Sequence, residues 1–514
     1  MIQSIVEAVS LHAQERPAQP ALFFAGQTLS YGTLFAQVEQ FARSLRAWGL
    51  QDGQRVALFL GNSPAFVVAY LGTHLAGGIV VLINTQYRQV ELSHIFHDSE
   101  ALLCVTSAAG CATLLPLALP TLRTLILVDV PGALPSAGDL ETIAFADWIS
   151  VGREQSQALA LSMPLADAPA VLGYTSGTTG RSKGALLAHS NLLANIQAVM
   201  AAWHWTGDDC LLLTLPLFHT HGLMVGLHGT LVSGGSAVLR AAFESAEVLA
   251  TLKTNPAISL FFGVPTMYIR LLAEARAQGA PARPLRLFVS GSAPLSPQVF
   301  EEFREVFGQP ILERYGMTET IMNLTNPYEG ERRAGTVGGP FPGQEARIVE
   351  VRTRQLLPSG EIGEIEVRGP HVFAGYWNRP DANAEAFSAD GWFKTGDLGW
   401  LSTDGYYTIT GRARELIISG GYNIYPREIE EVLAMHAAIA EVAVVGRPDP
   451  EMGERVVAAV VLKTGQTASE AELIAFCRER LASYKKPRQV VFVEPLPRNA
   501  LGKVQKHLLH LSSD

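Results

Sequence analysis

Apolar and polar positions follow two rhythms along this chain. From Tyr31 to Trp48 the apolar residues recur every three or four positions, which predicts an amphipathic helix. Residues 55–61 then form a short continuous apolar run, the signature of a buried strand. The pair repeats, with a helix predicted over 63–78 and a strand over 79–84, then a helix over 90–100 and a strand over 101–107. It resumes with a strand at 260–264, a helix near 265–277 and a strand at 285–291. Helical and buried-strand segments in alternation predict an α/β fold, a parallel-rich sheet layered with helices.

After about residue 340 the pattern shortens. Segments 345–351, 361–369, 391–401 and 405–413 are strand-like and bounded by Gly and Asp, which predicts a small β-barrel-like unit inside a large N-terminal domain spanning 1–411. From 412 to 514 helix and strand patterns mix again, as expected of a separate α+β domain of about 100 residues. The most apolar stretch, Phe66 to Asn84, contains His74, Gly77 and Gly78 and leads into polar sequence. It reads as a buried helix and strand, not as a membrane span. The N-terminus has neither the basic start nor the apolar block of a signal peptide.

Composition narrows the function classes. Of 514 residues 48% are hydrophobic and 17% charged, enough apolar surface for packed cores and too much for wholesale disorder. With 39 Lys+Arg against 48 Asp+Glu the net charge is -9, which argues against a general nucleic-acid binder. Cys104, Cys111, Cys210 and Cys477 show no paired spacing, so neither a disulfide framework nor a zinc site is expected, and the setting is expected to be a reducing cytoplasm. The pattern does not decide between a monomer and a homodimer.

Four segments carry candidate chemistry. Tyr174 to Gly184 places three glycines, the hydroxyls of Thr175, Ser176, Thr178 and Thr179, and one Lys183 between an apolar run and a helix-like segment. Gly177 and its neighbours permit tight turns whose amides cradle an anion, so the loop suits a polyphosphate, although its spacing is not that of a P-loop. A flexible Ser/Gly linker is the alternative. In Arg314 to Thr320, Thr318 suits a phosphate oxygen, Glu319 a Mg²⁺ ion and Tyr315 a base, while a capped helix start reads the same way. Asp397, closing 391–397, suits the two hydroxyls of a ribose or an ordinary hairpin turn. Lys503, 11 residues from the end, is by itself a solvated surface lysine.

Together and in this order, the segments YTSGTTGRSKG, RYGMTET, GWFKTGD, GRARELIISGGYNIYP and PRNALGK resemble the adenylate-forming (AMP-binding) acyl-CoA synthetase family. The resemblance runs from about residue 10 to 510. It implies two half-reactions. A carboxylate attacks the α-phosphate of ATP to give an acyl-adenylate and pyrophosphate. The thiol of CoA then displaces AMP. By resemblance, Thr175, Ser176, Gly177, Thr178, Thr179 and Lys183 form the phosphate loop. Thr318 meets the α-phosphate and Glu319 the Mg²⁺. Asp397 binds the ribose with help from Arg412, and Tyr315 with Gly291, Ser292 and Ala293 flanks the adenine. His219 gates the acid, and Lys503 neutralises charge developing between the two anions. Arg414 is the hinge about which the C-terminal domain rotates, withdrawing Lys503 and presenting Gly420 and Gly421 to the pantetheine tunnel.

For the acid, no Asp stands at Phe218–His219 to pair with an amine, so an amino acid is not expected. Residues 217–223, 263–272, 285–295, 313–338 and 496–507 look most like malonyl-CoA synthetases, which implies malonate or methylmalonate. A second carboxylate needs a cation, and Arg286 and Arg240 are the candidates, with Arg270 behind them and Thr220 and Met317 beside the acid. Ile321 stands where the malonate-type pattern has Asn. The alternative is a medium- or long-chain fatty acid, for which Gly222, Gly226 and Gly229 either open a channel or let helices pack closely. The thiol is expected to be CoA, with the basic run Tyr484–Pro487 suited to its phosphates. Loading of a separate carrier protein is the second alternative. A non-catalytic nucleotide scaffold would lack Lys183, Glu319, Asp397 or Lys503, and all four are present.

Overall fold

The helix Pro64–Leu75 shows how the apolar pattern becomes structure. Ser63 caps it, its hydroxyl accepting the Phe66 N–H at 3.2 Å, and Pro64 takes the first helical position where no N–H is needed. Every residue from Phe66 to Leu75 is buried, which is why this helix has no polar face. The computed structural model describes residues 2–130, 134–135, 140–155, 160–175, 182–419, 422–499 and 502–509. Among them, no helix is long and apolar enough to cross a membrane.

Contacts divide the chain into two compact units. The first comprises Met1–Gly335, Gly339–Glu345 and Arg368–Gly391, and is built on two parallel-rich sheets. In one, six parallel strands lie in the order Leu312–Tyr315, Leu287–Ser290, Leu260–Gly263, Cys210–Leu213, Ser236–Leu239, Pro20–Phe24. In the other, the parallel order is Pro169–Thr175, Ile79–Leu82, Arg55–Phe59, Leu103–Ser107, Thr124–Val128, Glu141–Ala144. Two antiparallel strands, Lys183–Ala188 and Gly375–Tyr376, extend that second sheet. The expected α/β architecture is therefore present, with buried strands that read as continuous apolar runs because both faces are covered. All four cysteines are buried free thiols.

The second unit comprises Thr336–Gly338, Ala346–Val367 and Trp392–Asp514. Most of the strand-rich stretch that the sequence assigns to the large N-terminal domain thus groups with the C-terminal residues. It forms a sheet ordered Glu345–Val349, Gly363–Arg368, Phe393–Leu401, Tyr407–Arg412. The helix Pro426–Ala434 packs against the last of these strands, and the Arg427 guanidinium donates to the Ile409 carbonyl. A mixed sheet ordered Tyr422–Ile424, Ile417–Ser419, Gly453–Leu462, Ile439–Asp449, with Gln489–Phe492 parallel to Gly453–Leu462, completes the unit. Its helix Glu470–Arg478 begins with a capping box, Ser469 and Glu472 each receiving the other's backbone N–H.

Candidate active site

Strand ends and the turns after them position the side chains of the first unit. Pro169–Thr175 and Lys183–Ala188 form the two arms of a hairpin in which Thr175 pairs with Lys183. The Thr175 hydroxyl donates to the Lys183 carbonyl at 3.3 Å. Ser176, Gly177, Thr178 and Thr179 at its tip lie outside the described residues. The Lys183 ammonium sits 5.0 Å from the centroid of the Tyr376 ring. The Tyr376 hydroxyl in turn donates to Glu319 Oε1 at 2.9 Å. Glu319 is 5% exposed, so this carboxylate is held in protein surroundings and oriented by a phenol. Thr318 packs its methyl against the hairpin, since a Cβ at Gly173 would fall 2.8 Å from it. Lys183, Thr318 and Glu319, distant in sequence, are thereby brought to one place, and Tyr376 is the link that sequence reasoning missed. Its position within the short run Gly375-Tyr376-Trp377 was the only available signal.

The turn after Leu312–Tyr315 is tight. Ile321 N–H closes on the Met317 carbonyl at 2.7 Å, and Ile321 itself adopts φ 60°. That left-handed conformation is one Asn adopts readily and a β-branched residue adopts only at a steric cost, which is the physical content of the departure at 321. Tyr315 is buried and its hydroxyl points to the Met317 sulfur at 3.9 Å. On the neighbouring strand end, Ser292 adopts φ 70° and its hydroxyl lies 3.4 Å from His221 Nδ1, while Ala293 is half-buried.

The acid-pocket candidates separate sharply. Arg286 is bound by Asp209 through two contacts of 2.8 Å and donates to the Trp203 carbonyl at 2.7 Å, so its fork is committed to a structural pair. Arg240 donates to Thr251 Oγ1 at 3.0 Å. Arg270 pairs with Glu244 at 3.5 Å. A different arginine lies at the strand end. Arg314 is 3% exposed, and its Nε and Nη2 have no hydrogen-bond partner among the described residues. Burial pushes its pKa down to about 9, with Tyr268 and Glu313 pulling the other way. Enclosure by protein, with the Arg314 charge adding to it, depresses His219 to about 4, although part of that residue's surface still reaches solvent. Thr220 is buried and Met317 half-buried. Two adjacent charged residues, Glu313 and Arg314, in the strand-like stretch 311–315 were the visible signal for Arg314.

The glycines at 222, 226 and 229 lie in a π-helix, His221–Leu227, and the α-helix His228–Ser233 that continues it. A Cβ at 222 would fall 2.3 Å from the Pro216 carbonyl oxygen, one at 226 3.0 Å from Leu213, and one at 229 2.3 Å from the Trp205 ring. All three faces are filled by neighbours.

In the second unit, Asp397 and Arg412 pair across adjacent strands, Arg412 Nε lying 2.6 Å from Asp397 Oδ1. Asp397 is 4% exposed. Lys503 is presented by a small turn in which Asn499 and Lys503 exchange hydrogen bonds of 2.9 and 3.0 Å. As a residue it is exposed, yet the protein crowding its ammonium lowers its pKa. Arg412 pushes the same way, and Asp397 and Glu415 oppose. Asp397, Arg412 and Lys503 thus share one electrostatic neighbourhood. Arg414 lies in the short helix Ala413–Glu415, and Gly420 and Gly421 lie outside the described residues.

The first unit thus holds a hairpin lysine and a buried carboxylate joined through Tyr376, and the second holds a lysine, an aspartate and an arginine in one neighbourhood. Residues 9–377 match the AMP-binding enzyme family and residues 428–503 its C-terminal domain, and the chain belongs to that family. It is 38% identical to a sulfoacetate–CoA ligase of Cupriavidus necator, over 98% of this chain and 97% of that protein. It is 36% identical to a long-chain-fatty-acid–CoA ligase of Bacillus subtilis, over 96% and 91%, and 35% identical to a malonate–CoA ligase of Arabidopsis thaliana, over 92% and 80%. The crystal structure of ATP-bound MatB from Rhodopseudomonas palustris superposes with a TM-score of 0.89, at 38% identity and 98% coverage of both chains. The chain is an AMP-forming acyl-CoA ligase, an acid–thiol ligase that uses ATP, Mg²⁺ and CoA.

Proposed function

We propose that the chain converts malonate or methylmalonate to its CoA thioester. The observation that carries this reading is the filling of the glycine faces at 222, 226 and 229 by Pro216, Leu213 and Trp205. The feature that suits a long acyl channel in the sequence is packing in the fold, which favours a short acid over an octanoyl or palmitoyl chain. The malonate-directed relative supports the same choice.

The roles follow from the chemistry. Two anions must meet, so positive charge at the reacting oxygens lowers the barrier. Lys183 and Thr175 hold the polyphosphate with the residues of the hairpin tip. Thr318 contacts the α-phosphate. Asp397, braced by Arg412, accepts the ribose hydroxyls, and Tyr315 with Gly291, Ser292 and Ala293 borders the base. Glu319 fits Mg²⁺, a hard cation that takes one or two carboxylates and completes its shell with phosphates and water. When bound, the ion neutralises phosphate charge. Lys503 brings a cation to the attacking carboxylate, which is already ionised at pH 7 and needs no general base. His219 is neutral at that pH and serves as a gate and not as an acid. The second half-reaction uses rotation about Arg414, which withdraws Lys503 and admits the CoA thiol past Gly420 and Gly421.

The test is Mg²⁺- and CoA-dependent AMP release across malonate, methylmalonate, acetate, octanoate, palmitate and coumarate. Preference for malonate or methylmalonate is expected. Preference for octanoate or palmitate would overturn the substrate and leave the adenylation chemistry standing.

A further inference from the structure

The turn that carries Thr318 and Glu319 is held from outside itself. Within it, the N–H groups of Thr320 and Ile321 both close on the Met317 carbonyl, at 3.3 and 2.7 Å. Position 316 has no room for a side chain, because a Cβ there would run into the Ile321 carbonyl oxygen. Ile321 closes the turn at φ 60° with its side chain fully buried. A β-branched residue is strained in that conformation, and such strain persists only where the surroundings over-determine the backbone.

A single amide supplies that restraint. Asn195 lies on the helix His189–Trp203, which begins where the hairpin strand Lys183–Ala188 ends. Its Nδ2 donates to the Met322 carbonyl at 2.8 Å and reaches the Thr320 carbonyl at 3.5 Å, on either side of Ile321. Both neighbours are acceptors, so the nitrogen of the amide, and not its oxygen, must face them. Asn195 is fully buried, and its Oδ1 has no partner among the described residues. Its buried helix neighbours Leu192, Ile196 and Val199 are apolar, and a leucine at 195 would leave no polar atom unpaired. The amide is therefore explained by the two carbonyls it holds. One helical turn earlier Asn191 holds a second segment. Its Nδ2 donates to the Pro370 and Val372 carbonyls at 2.9 and 3.0 Å, and the next residue, Phe373, donates its N–H to the Glu319 carbonyl at 2.9 Å.

We propose that Asn195 is a positioning residue for adenylation, which locks Ile321 in the left-handed conformation and so fixes where Glu319 presents its carboxylate. This assignment rests on the reading of Glu319 as the residue that holds Mg²⁺. The helix bearing Asn195 continues from the hairpin bearing Lys183, so lysine and carboxylate are referred to one element.

The experiment is a double-mutant cycle between positions 195 and 321, read by adenylation rate and by calorimetric binding of ATP with Mg²⁺ or with EDTA. Asn195→Ala is expected to lower kcat/KM for adenylation by about 10²-fold, as misplacement of a catalytic group does. It should weaken binding of ATP with Mg²⁺ about tenfold and change binding with EDTA less than about twofold. In an Ile321→Asn background, where the left-handed conformation is readily adopted, the kinetic cost of Asn195→Ala should shrink about tenfold. In an Ile321→Val background, still β-branched, it should stay whole. Equal costs in all three backgrounds overturn the proposal, as does equal weakening of ATP binding with and without Mg²⁺, which marks a general structural role. If Asn195→Ala does not fold alone, it is expected to fold when paired with Ile321→Asn and not when paired with Ile321→Val, and failure of both pairs overturns the proposal too. Glu319→Gln separates the underlying reading. If it leaves the Mg²⁺-dependent part of ATP binding intact, the role of Glu319 fails and the proposal with it. If it abolishes that part while Asn195→Ala does not weaken it, the proposal alone fails.

Discussion

At position 503 a lysine keeps its charge against the protein around it. Burial of the ammonium and the nearby Arg412 lower its pKa, and Asp397 and Glu415 restore part of what they remove. The charged form is the one that adenylation needs. Adenylation is therefore expected to decline as pH rises through a value below the usual lysine range of about 10.4. Lys503→Arg, which stays charged, should move that decline to higher pH. Lys503→Ala should lower adenylate formation by about 10²–10³-fold and spare thioester formation from supplied acyl-adenylate. Pyrophosphate release and single-turnover thioester assays separate the two steps, and equal loss of both would contradict the role. Lys503 was readable only through the resemblance, since an isolated lysine near a chain end is ordinary. Arg314 was legible as one of two adjacent charges in a strand-like stretch, but the unpartnered Nε and Nη2 depend on strands far away in sequence.

The helices of the first unit bring a second group of polar side chains inside. His74 from Pro64–Leu75, His189 from His189–Trp203 and His228 from His228–Ser233 lie together, with ring centroids of His74 and His189 4.7 Å apart. Tyr70 Oη lies 2.9 Å from His228 Nε2. Burial pushes His189 down to about 4 and His228 to about 3, and lowers His74 well below its ordinary range. All three are neutral in the fold, whereas the unfolded chain takes up protons below about pH 6.5. Their contribution to stability is thus complete above that pH and is lost as pH falls toward their folded values, by up to about 1.4 kcal/mol per pH unit for each ring. The urea midpoint is expected to drop between pH 7 and pH 5, and His189→Leu to make the drop shallower. A midpoint flat over that range would refute this account. No periodicity announces the cluster, because each histidine sits in its own apolar helix face and only packing brings them together.

For the molecule as a whole, the proposed cycle demands two geometries from one chain. Arg414 is the residue through which the change is expected to pass. Arg414→Pro fixes φ near -65° and should slow thioester formation from supplied acyl-adenylate at least about tenfold, while adenylation stays within about threefold. Loss of both steps together, or of neither, would rule out the hinge. The sequence places a boundary at Gly411–Arg414, whereas contacts gather Ala346–Val367 and Trp392–Asp514 into one unit. Strand pairing and the packing of Pro426–Ala434 on Tyr407–Arg412 decide that grouping, and both are invisible to a reading of local composition.

Local order determined a good deal by itself. Buried strands in alternation with helices identify the α/β class, because side-chain periodicity reports which faces are covered. Five segments in a fixed order identify the family, because anion-binding turns require glycines, hydroxyls and a lysine at set spacings. Tertiary structure alone decided which arginine is spare. Arg286 and Arg314 look alike in a string of letters, and Asp209 satisfies one and leaves the other. It also decided that the glycines at 222, 226 and 229 are contact points. Whether a missing side chain is a channel or a joint depends on what stands opposite, and here Pro216, Leu213 and Trp205 do.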